Sequence, residues 1–264
     1  MNKKRIDVLL VERGLAESCN RAQRLVMAGE VRVDGEMVHK SSTQVALDAH
    51  IEVKQKPKYV SRGGKKLAAA IEAFSVNVKG KVCADVGAST GGFTDCLLQN
   101  GAAKVFAIDV GYGVLHWTLR KDPRVVVMER TNARYLDALP EFVYLVTIDA
   151  SFISLALILP AVRGWFEGAG GQTIALIKPQ FEAGRKAAAV HAGVIKDEAV
   201  HEYVLKETLS SAHALGFSPM GLIPSPIRGP KGNVEFLVDL SLASHDIPFD
   251  LDRMVQHALQ EKIV

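Results

Sequence analysis

Residues 82–93, VCADVGASTGGF, run from an apolar stretch through a glycine-rich turn into the start of a helix. A turn of this kind, between a strand and a helix, is where an open α/β sheet binds nucleotides, because glycine lets the backbone approach a ligand closely. The dinucleotide fingerprint needs glycine where this chain has Ser89, which disfavours NAD and FAD. No Gly-Lys-Ser/Thr sequence follows the glycines, so the turn is not a P-loop.

The chain around this turn alternates strand and helix signals. This alternation predicts βαβ units and a parallel sheet in a doubly wound, Rossmann-like α/β domain. The predicted strands are Val82–Val86, Val105–Asp109, Val125–Met128, Tyr144–Asp149, Thr173–Lys178, Met220–Pro224 and Phe236–Leu240. The predicted helices between them include Phe93–Gln99, Ser154–Val162 and Ala199–Leu215.

S-Adenosylmethionine suits the turn because it has no phosphate group and carries a sulfonium cation, for which Asp85 is the candidate electrostatic neighbour. Asp109 ends the second predicted strand, where an acidic residue can accept hydrogen bonds from ribose hydroxyls. Asn132, beyond the third strand, is the candidate to flank the adenine. The alternative is a turn that only opens a helix tightly. The full predicted set of cofactor-binding residues is Asp85, Gly87, Ser89, Gly91, Gly92, Phe93, Asp109 and Asn132.

The N-terminal part predicts a separate small α+β domain. Apolar residues recur at helical spacing over residues 5–29, with Gly14 ending one short helix and Ser18 capping a second. A hairpin and one further strand follow. Their predicted positions are Val31–Val33, the Asp34-Gly35 turn, Met37–Val38 and Ile51–Val53.

Charge is distributed unevenly along the chain. The 264 residues carry a formal net charge of +3, but residues 1–66 hold fourteen Lys/Arg against eight Asp/Glu, or +6, which leaves −3 for the rest. Such asymmetry is typical of a polyanion-binding module joined to another domain, although a solvated lysine-rich surface gives the same count. We place the α+β domain at residues 1–56, a linker at residues 57–62 and the α/β domain at residues 63–264.

Several classes of protein are disfavoured. The longest uncharged apolar stretch, Ala150–Val162, is far shorter than the roughly 20 residues of a membrane-spanning helix. Asp7 and Glu12 interrupt the N-terminal apolar run, which disfavours a secretory signal. The three cysteines form no CxxC pair, and no Cys/His cluster has metal-ligand spacing. We therefore expect a cytoplasmic protein with no membrane segment and no metal.

Four charged residues lie at strand ends or just ahead of the sheet: Lys66, Asp149, Lys178 and Glu235. Asp149 and Lys178 each follow an apolar run, so each is expected at the edge of the sheet where α/β folds bind ligands. One such charge alone is commonly a structural salt bridge or a solvated strand end. Four charges that converge on one edge indicate a functional site.

The N-terminal motifs resemble those of the RNA-binding domain first described in ribosomal protein S4. The usual arginine after the serine is Cys19 here, which removes one expected phosphate contact. The matching residues are Arg5-x-Asp7, Leu9-Leu10, Ser18-x-x-Arg21-Ala22 and Gly29-x-Val31-x-Val33-Asp34-Gly35. The resemblance implies salt-dependent RNA binding, with candidate phosphate contacts at Lys3, Lys4, Arg5, Arg21, Arg24, Arg32 and Lys40.

Five further strings resemble the TlyA family of bacterial proteins, which join an S4-like domain to an FtsJ-like methyltransferase. They are YVSRGGKKL (59–67), DVGASTGGFTD (85–95), DASFISL (149–155), LIKPQFEAG (176–184) and SPIRGPKGNVEFL (225–237). The likeness covers nearly the whole chain in order and spacing. It implies methyl transfer from S-adenosylmethionine to the ribose 2′-hydroxyl of cytidine in ribosomal RNA, with ribosomal RNA or ribosomal subunits as partners.

The family's Lys-Asp-Lys-Glu tetrad falls on Lys66, Asp149, Lys178 and Glu235, with Lys66 chosen over Lys65 because it directly precedes the leucine. A ribose hydroxyl is a poor nucleophile, so it must be aligned with the methyl group and lose its proton as the bond forms. We expect Lys178 to be the base and Lys66 to be the neighbouring cation that favours a neutral base and orients the hydroxyl. Asp149 and Glu235 are expected to hold the ammonium groups, and Asp149 also to attract the sulfonium methyl.

The residues near the tetrad bear on the substrate. Amino methyltransferases tend to carry Asp or Asn before Pro-Pro-Tyr/Phe, whereas this chain has Lys178-Pro179-Gln180-Phe181. Carbon-five cytosine methyltransferases need a nucleophilic cysteine at the sheet edge, and neither Cys83 nor Cys96 is predicted there. Phe181 is either a core residue or a platform for a flipped base. The RNA contacts predicted near the tetrad are Arg62, Phe181, Arg228 and Lys231.

Two rival functions are weighed against methyl transfer. A membrane-active haemolysin is disfavoured because no apolar stretch is long enough to span a membrane. A noncatalytic RNA-binding factor for ribosome assembly is disfavoured by the complete tetrad and the glycine-rich turn.

Overall fold

The computed structural model describes residues 2–54, 57–168, 170–183, 194–243 and 248–261. Two units make up the chain, Met1–Pro57 and Lys58–Val264, and each has hydrophobic core residues of its own. The domain boundaries at residues 56 and 62 stay predictions.

The described residues of the first unit form two helices and five short strands. They are β1 Lys3–Arg5, α1 Ile6–Glu12, α2 Cys19–Met27, β2 Val31–Val33, β3 Glu36–Met37, β4 Gln44–Ala46 and β5 Ile51–Val53. Strands β3, β2 and β5 form an antiparallel sheet, and β1 pairs antiparallel with β4. The Ser18 hydroxyl accepts a hydrogen bond from the Arg21 backbone N–H, which caps α2 as predicted. Asp34 and Gly35 both have positive φ, at 49° and 85°, as a two-residue hairpin turn requires.

Strands β1 and β4 are absent from the sequence-based prediction. Each has only three residues, and residues 3–5 are all basic, so no alternating pattern marks β1. Their pairing joins parts of the chain about 40 residues apart, with Lys4 opposite Val45. Local patterns do not report such a pairing.

The second unit contains a seven-stranded sheet. Its strands are β6 Val82–Val86, β7 Lys104–Ile108, β8 Val125–Met128, β9 Leu145–Ile148, β10 Gly170–Ile177, β11 Phe217–Pro224 and β12 Phe236–Ala243. They lie in the order β11-β12-β10-β9-β6-β7-β8. The neighbours from β10 to β8 pair in parallel, whereas β12 runs antiparallel to both β10 and β11.

The expectation of a parallel sheet is wrong at β12, and the connection before this strand gives the reason. The 11 residues between β11 and β12 form a loop with one short 3-10 turn, Pro230–Gly232, and no α-helix. Parallel neighbours need a long crossover, usually helical, so this loop returns the chain antiparallel.

Helices cover both faces of the sheet. They are α3 Gly63–Ala73, α4 Gly92–Gln99, α5 Trp117–Arg120, α6 Leu155–Arg163, α7 Pro179–Glu182, α8 Glu198–Ala214 and α9 Leu251–Gln260. Alternate residues of β6 separate the faces: Ala84 and Val86 join the core formed with α6, α8 and α9, and Cys83 joins the core formed with α3 and α4. Helices α4, α6 and α8 lie within one residue of their predicted bounds. None of the described helices is long and apolar enough to cross a membrane.

The carboxyl ends of the parallel strands share one edge of the sheet. There β6, β7, β9 and β10 are followed by Gly87, Asp109, Asp149 and Lys178. Because β12 is antiparallel, its first residue lies at this edge, with Phe236 paired to Ile177. Glu235 therefore reaches the same edge from the opposite direction.

Candidate active site

Four charged side chains at this edge form two ion pairs. The Lys66 ammonium lies 2.5 Å from Glu235 Oε2, and the Lys178 ammonium lies 2.6 Å from Asp149 Oδ1. All four residues line one cleft with a volume of about 300 Å³. The structure thus brings the four predicted residues together and pairs each lysine with one carboxylate, a pairing that the sequence leaves open.

Lys66 and Glu235 form the more enclosed pair, with side chains 9% and 0% exposed. Lys66 comes from the first turn of α3, and Glu235 directly precedes β12. Glu235 Oε1 is buried and has no hydrogen-bond partner among the described residues. A Cβ atom on Gly229 would lie 2.1 Å from this oxygen, so the loop needs glycine there. An unbonded buried acceptor is costly, which makes Oε1 a candidate partner for a bound donor group.

Lys178 has several acceptors in the loop that follows β9. Its Nζ donates to the Ala150 carbonyl oxygen at 2.9 Å and to Ser151 Oγ at 3.0 Å, in addition to the ion pair with Asp149. An ammonium group has three protons to donate, so these three partners match its charged form. A base role therefore requires Lys178 to lose one of these protons before substrate is deprotonated. Ser151, which also lines the cleft, is absent from the predicted site residues.

Six residues of the glycine-rich turn line the same cleft, and four of them, Gly87, Ser89, Gly92 and Phe93, are predicted cofactor contacts. Gly87 has φ of 80°, and a Cβ atom on it would lie 2.7 Å from the Asp149 carbonyl oxygen, so the turn lies directly against the loop that carries Asp149. Gly91, also predicted to bind cofactor, does not line the cleft. A Cβ atom on Gly91 would lie 2.2 Å from Leu119, so this glycine allows the turn to pack against α5.

The Asp109 carboxylate is oriented by two backbone groups. The Ser89 N–H donates to its Oδ2 and the Gly111 N–H to its Oδ1, both at 2.7 Å. Each carboxylate oxygen keeps a further lone pair, so Asp109 can accept a hydrogen bond from each of two ribose hydroxyls. Asp109 does not itself line the cleft, but it is bonded to Ser89, which does, and this acceptor pair next to the glycine-rich turn fits S-adenosylmethionine. Asn132 is exposed and accepts a hydrogen bond from the Arg134 N–H at 3.1 Å, and it does not line the cleft.

Asp85 lies inside the sheet and not at its edge. Its side chain is fully buried and accepts hydrogen bonds from Thr94 Oγ1 at 2.6 Å and Thr147 Oγ1 at 3.2 Å. Burial raises the pKa of Asp85 to about 7, against the lowering effect of the two threonines. The expected direct contact with a sulfonium group does not match this placement, because Asp85 does not line the cleft. The reason is strand geometry: Asp85 is inside β6, and its side chain points to a face of the sheet.

An aromatic pair lies beside Lys178. The rings of Phe181 and Phe152 have centroids 4.8 Å apart, and Lys178 Nζ lies 5.9 Å from the centroid of Phe181. Phe152 is 88% exposed and has φ of 65°, a conformation that is rare for a bulky residue. The sequence prediction includes Phe181 and misses Phe152, since nothing in the string DASFISL marks a left-handed, exposed phenylalanine.

The other predicted RNA contacts of this unit are basic. Arg62 and Arg228 line the cleft, which places two cations beside the two ion pairs. Lys231 is exposed in the loop before β12 and has φ of 60°. Within the described residues, no group of three His, Cys, Asp or Glu side chains could hold a metal ion.

The predicted phosphate contacts of the first unit differ in their surroundings. Arg5 makes two hydrogen bonds to the Asp7 carboxylate, at 3.0 and 2.7 Å, which hold the pKa of Asp7 below its usual range. Lys4 pairs with Glu12 at 2.6 Å, and Arg32 donates to the Gly35 carbonyl oxygen. Lys4 and Arg32 therefore each have one hydrogen-bond partner within the domain. The predicted contacts that make no ion pair in the described part of the chain are Lys3, Arg21, Arg24, Arg32 and Lys40.

Two family models match the chain. The model for the FtsJ-like methyltransferase matches residues 59–242, and the model for the S4 domain matches residues 4–51. The chain belongs to the FtsJ-like methyltransferase family. Family membership confirms the predicted architecture, an S4 domain followed by a Rossmann-like methyltransferase domain, and the prediction of an S-adenosylmethionine-dependent methyltransferase.

Individual relatives extend over most of the chain. YqxC of Bacillus subtilis, whose name assigns it provisionally as an rRNA methyltransferase, is 50% identical over 90% of this chain and 85% of its own. TlyA of Mycobacterium tuberculosis, named a 16S/23S rRNA (cytidine-2′-O)-methyltransferase, is 46% identical over 89% of this chain and 88% of its own. A solved structure of a hemolysin-named protein from Streptococcus thermophilus is 42% identical, with a TM-score of 0.72, and covers 98% of this chain and 96% of its own.

Proposed function

We propose that this family member transfers a methyl group from S-adenosylmethionine to the 2′-hydroxyl of a cytidine ribose in ribosomal RNA. The observation that carries the proposal is the cleft with two lysine–carboxylate ion pairs next to the glycine-rich turn. The mycobacterial relative supports it, since that protein is named for this reaction on 16S and 23S rRNA.

The turn at residues 87–93 and Asp109 are proposed to hold the cofactor. S-Adenosylmethionine supplies an electrophilic methyl group on a sulfonium centre. Asp109, held by the Ser89 and Gly111 N–H groups, would accept hydrogen bonds from the ribose hydroxyls of the cofactor, and Gly87, Ser89, Gly92 and Phe93 would line its binding cleft. Gly91 and Asp85 do not line the cleft: Gly91 lets the turn pack against α5, and Asp85 accepts a hydrogen bond from Thr94 of α4. Asn132 stays a predicted contact to the adenine.

Lys178 is proposed to be the base. After Lys178 gives up one proton to solvent in the cleft, its two remaining protons can still donate to two of its three acceptors, and its lone pair faces the substrate hydroxyl. The hydroxyl proton passes to Lys178 Nζ while the new O–C bond forms and the S–C bond breaks. Asp149 then holds the ammonium that results.

Lys66 and Glu235 are proposed to orient the hydroxyl. The Lys66 ammonium stays paired with Glu235 Oε2 at 2.5 Å. Its remaining protons can donate a hydrogen bond to the substrate hydroxyl and so orient it. The pair therefore assists the base without exchanging a proton itself.

The proposed RNA contacts lie in both units. In the first unit they are the basic residues Lys3, Lys4, Arg5, Arg21, Arg24, Arg32 and Lys40, and in the second Arg62, Arg228 and Lys231. The Phe181 and Phe152 rings offer a face for an unstacked base beside Lys178. Ribosomal RNA or a ribosomal subunit is the proposed partner, and the cytoplasm is the proposed location because ribosomes are there.

Label transfer tests this function. The full chain is incubated with S-adenosylmethionine tritiated on its methyl group and with ribosomal RNA or isolated subunits, and the RNA is then digested to nucleosides. We expect the label in 2′-O-methylcytidine. Label on a base would contradict the proposed acceptor, and RNA without label, despite measured cofactor binding, would favour the noncatalytic assembly factor.

A further inference from the structure

Two short segments carry the Lys178–Asp149 pair. Residues 149–154 connect β9 to α6, and residues 178–182 are Lys178 followed by the single turn α7. The segments meet at one end through the ion pair and in the middle through the rings of Phe152 and Phe181. The contact at the far end involves Glu182, a residue that has no role in the proposed chemistry.

Glu182 receives two hydrogen bonds from the start of α6. Its Oε1 accepts from the Leu155 backbone N–H at 2.9 Å, and its Oε2 accepts from Ser154 Oγ at 2.6 Å. Ser154 is itself the N-cap of α6, because its hydroxyl also accepts from the Ala156 N–H at 3.3 Å. A negative charge at a helix N-terminus is favourable. Glu182 thus fixes the point at which the residue 149–154 segment ends.

Residues 149–154 are held in place at both ends. The end opposite to Glu182 is held by the sheet, where the Asp149 N–H donates to the Val86 carbonyl oxygen at 2.9 Å. Between the two anchors, Phe152 is exposed and left-handed, which is an unfavourable conformation for a phenylalanine and persists only where the surroundings impose it. Glu182 does not line the cleft, so its influence on the reaction passes through this segment.

We propose that Glu182 is a positioning residue: it ties the segments 149–154 and 178–182 together at the end opposite to the Lys178–Asp149 pair, and so sets the place of Ser151, Phe152 and the acceptors of Lys178. The proposal rests on the proposed methyl transfer for its catalytic consequence. The hydrogen bonds from Ser154 and Leu155 to Glu182 are present in the structure whatever the reaction is.

The experiment uses the full chain and four variants. Glu182→Ala removes both hydrogen bonds, and Glu182→Asp keeps the charge but shortens the side chain. Glu182→Gln keeps the length, with an amide oxygen for the Leu155 N–H and an amide N–H for Ser154. Glu207→Ala is the matched control, because Glu207 is an exposed glutamate on α8. Steady-state methyl transfer to ribosomal RNA and hydrogen exchange at residues 149–156 are measured for each.

We expect Glu182→Ala to lower kcat by about 10-fold to 10²-fold, the scale of a small misplacement of reacting groups, with KM for RNA and Kd for S-adenosylmethionine within twofold of wild type. Glu182→Asp should lie between Ala and wild type, and Glu182→Gln should restore most of kcat. Exchange should quicken at residues 149–156 in the Ala and Asp variants and stay slow in β10. Glu207→Ala should match wild type.

Unchanged kcat and exchange in both Glu182→Ala and Glu182→Asp would overturn the proposal. A joint fall of kcat, RNA affinity and cofactor affinity with a lower Tm would overturn it as well, because that result describes general destabilisation. If Glu182→Ala does not fold, the Asp and Gln variants carry the same comparison. If wild type labels no ribosomal RNA, the proposed function fails, while the exchange data still decide whether Glu182 holds the segment.

Discussion

The two ion pairs of the cleft have the same chemistry but different surroundings. Glu235 is 0% exposed as a side chain, and its pair with Lys66 supplies the hydrogen bond to Oε2, whereas Oε1 has no partner among the described residues. Asp149 is 22% exposed, and Lys178 has two further acceptors in the same loop. A charge that loses its partner is costly only where neither water nor another group replaces that partner. The difference suggests that the Lys66 pair matters most for stability and the Lys178 pair for proton transfer.

The largest effect is expected at Lys178. Lys178→Arg keeps a cation that can donate to the loop acceptors, but a guanidinium cannot be deprotonated in a protein. Both Lys178→Arg and Lys178→Ala should therefore lower the methyl-transfer rate by about 10²-fold to 10⁴-fold, the usual contribution of a general base. Single-turnover transfer of tritium to ribosomal RNA measures the rate, and filter binding and calorimetry should show nearly unchanged affinity for RNA and cofactor.

The control for this prediction is Lys65→Ala, since Lys65 is exposed and is the neighbour of Lys66 in the sequence. Its rate should equal that of wild type. Turnover of Lys178→Arg within about tenfold of wild type, equivalent to 1.4 kcal/mol, would show that Lys178 acts as a cation and not as a base.

A matched pair of substitutions compares how much each of the two ion pairs contributes to the stability of the protein. Lys66→Met leaves Glu235 buried without a counter-charge, which should lower the free energy of unfolding by about 3–5 kcal/mol. Lys178→Met leaves Asp149 partly exposed to water, so its cost should be smaller, about 1–2 kcal/mol, between the scales of an exposed and a buried pair. Urea unfolding at pH 7 measures both. Adding Glu235→Gln to Lys66→Met should recover part of the loss, because no uncompensated charge is then buried. Equal losses for the two single variants would contradict the distinction between the pairs.

These pairs also show how far sequence predicts this site. Asp149 and Lys178 follow apolar strands, so their position at the sheet edge is readable from the sequence order. Glu235 reaches that edge because β12 is antiparallel, and the sequence-based prediction of a parallel sheet would place it at the opposite edge. The sequence analysis groups Glu235 with the other three charges, but strand direction does not justify that grouping, and the family motif is what supports it. Which carboxylate faces which lysine depends on side-chain packing between segments up to 169 residues apart, and no local pattern encodes that.

The sequence is less informative where the backbone conformation is unusual. Phe152 is identified neither by apolar spacing nor by a turn residue, although it is 88% exposed beside the base. Asp85 shows the opposite case: an acidic residue before a glycine-rich turn predicts a ligand contact, but Asp85 lies inside β6 and is buried, where it accepts hydrogen bonds from two threonine hydroxyls. Exposure is a property of packing, so residue type and position in a motif do not determine it.

Asp85 provides a third case for comparison, a buried carboxyl with two threonine donors and no lysine. Its pKa is about 7 in the folded chain against an ordinary value of 3.8, because burial disfavours the charged form. The folded state thus binds more protons than the unfolded state between these values. The stability that this proton contributes is present below about pH 4 and is lost as the pH rises through 7, at up to about 1.4 kcal/mol per pH unit.

The Asp85→Asn variant tests this pH dependence. Asp85→Asn stays neutral and can still accept from Thr94, so its free energy of unfolding should fall less between pH 5 and pH 7. Urea unfolding of wild type, Asp85→Asn and the exposed control Asp137→Asn across this range measures the difference. Parallel pH dependences for wild type and Asp85→Asn would mean that the threonines alone compensate the buried charge, and the distinction between a carboxylate held by lysine and one held by hydroxyls would then disappear.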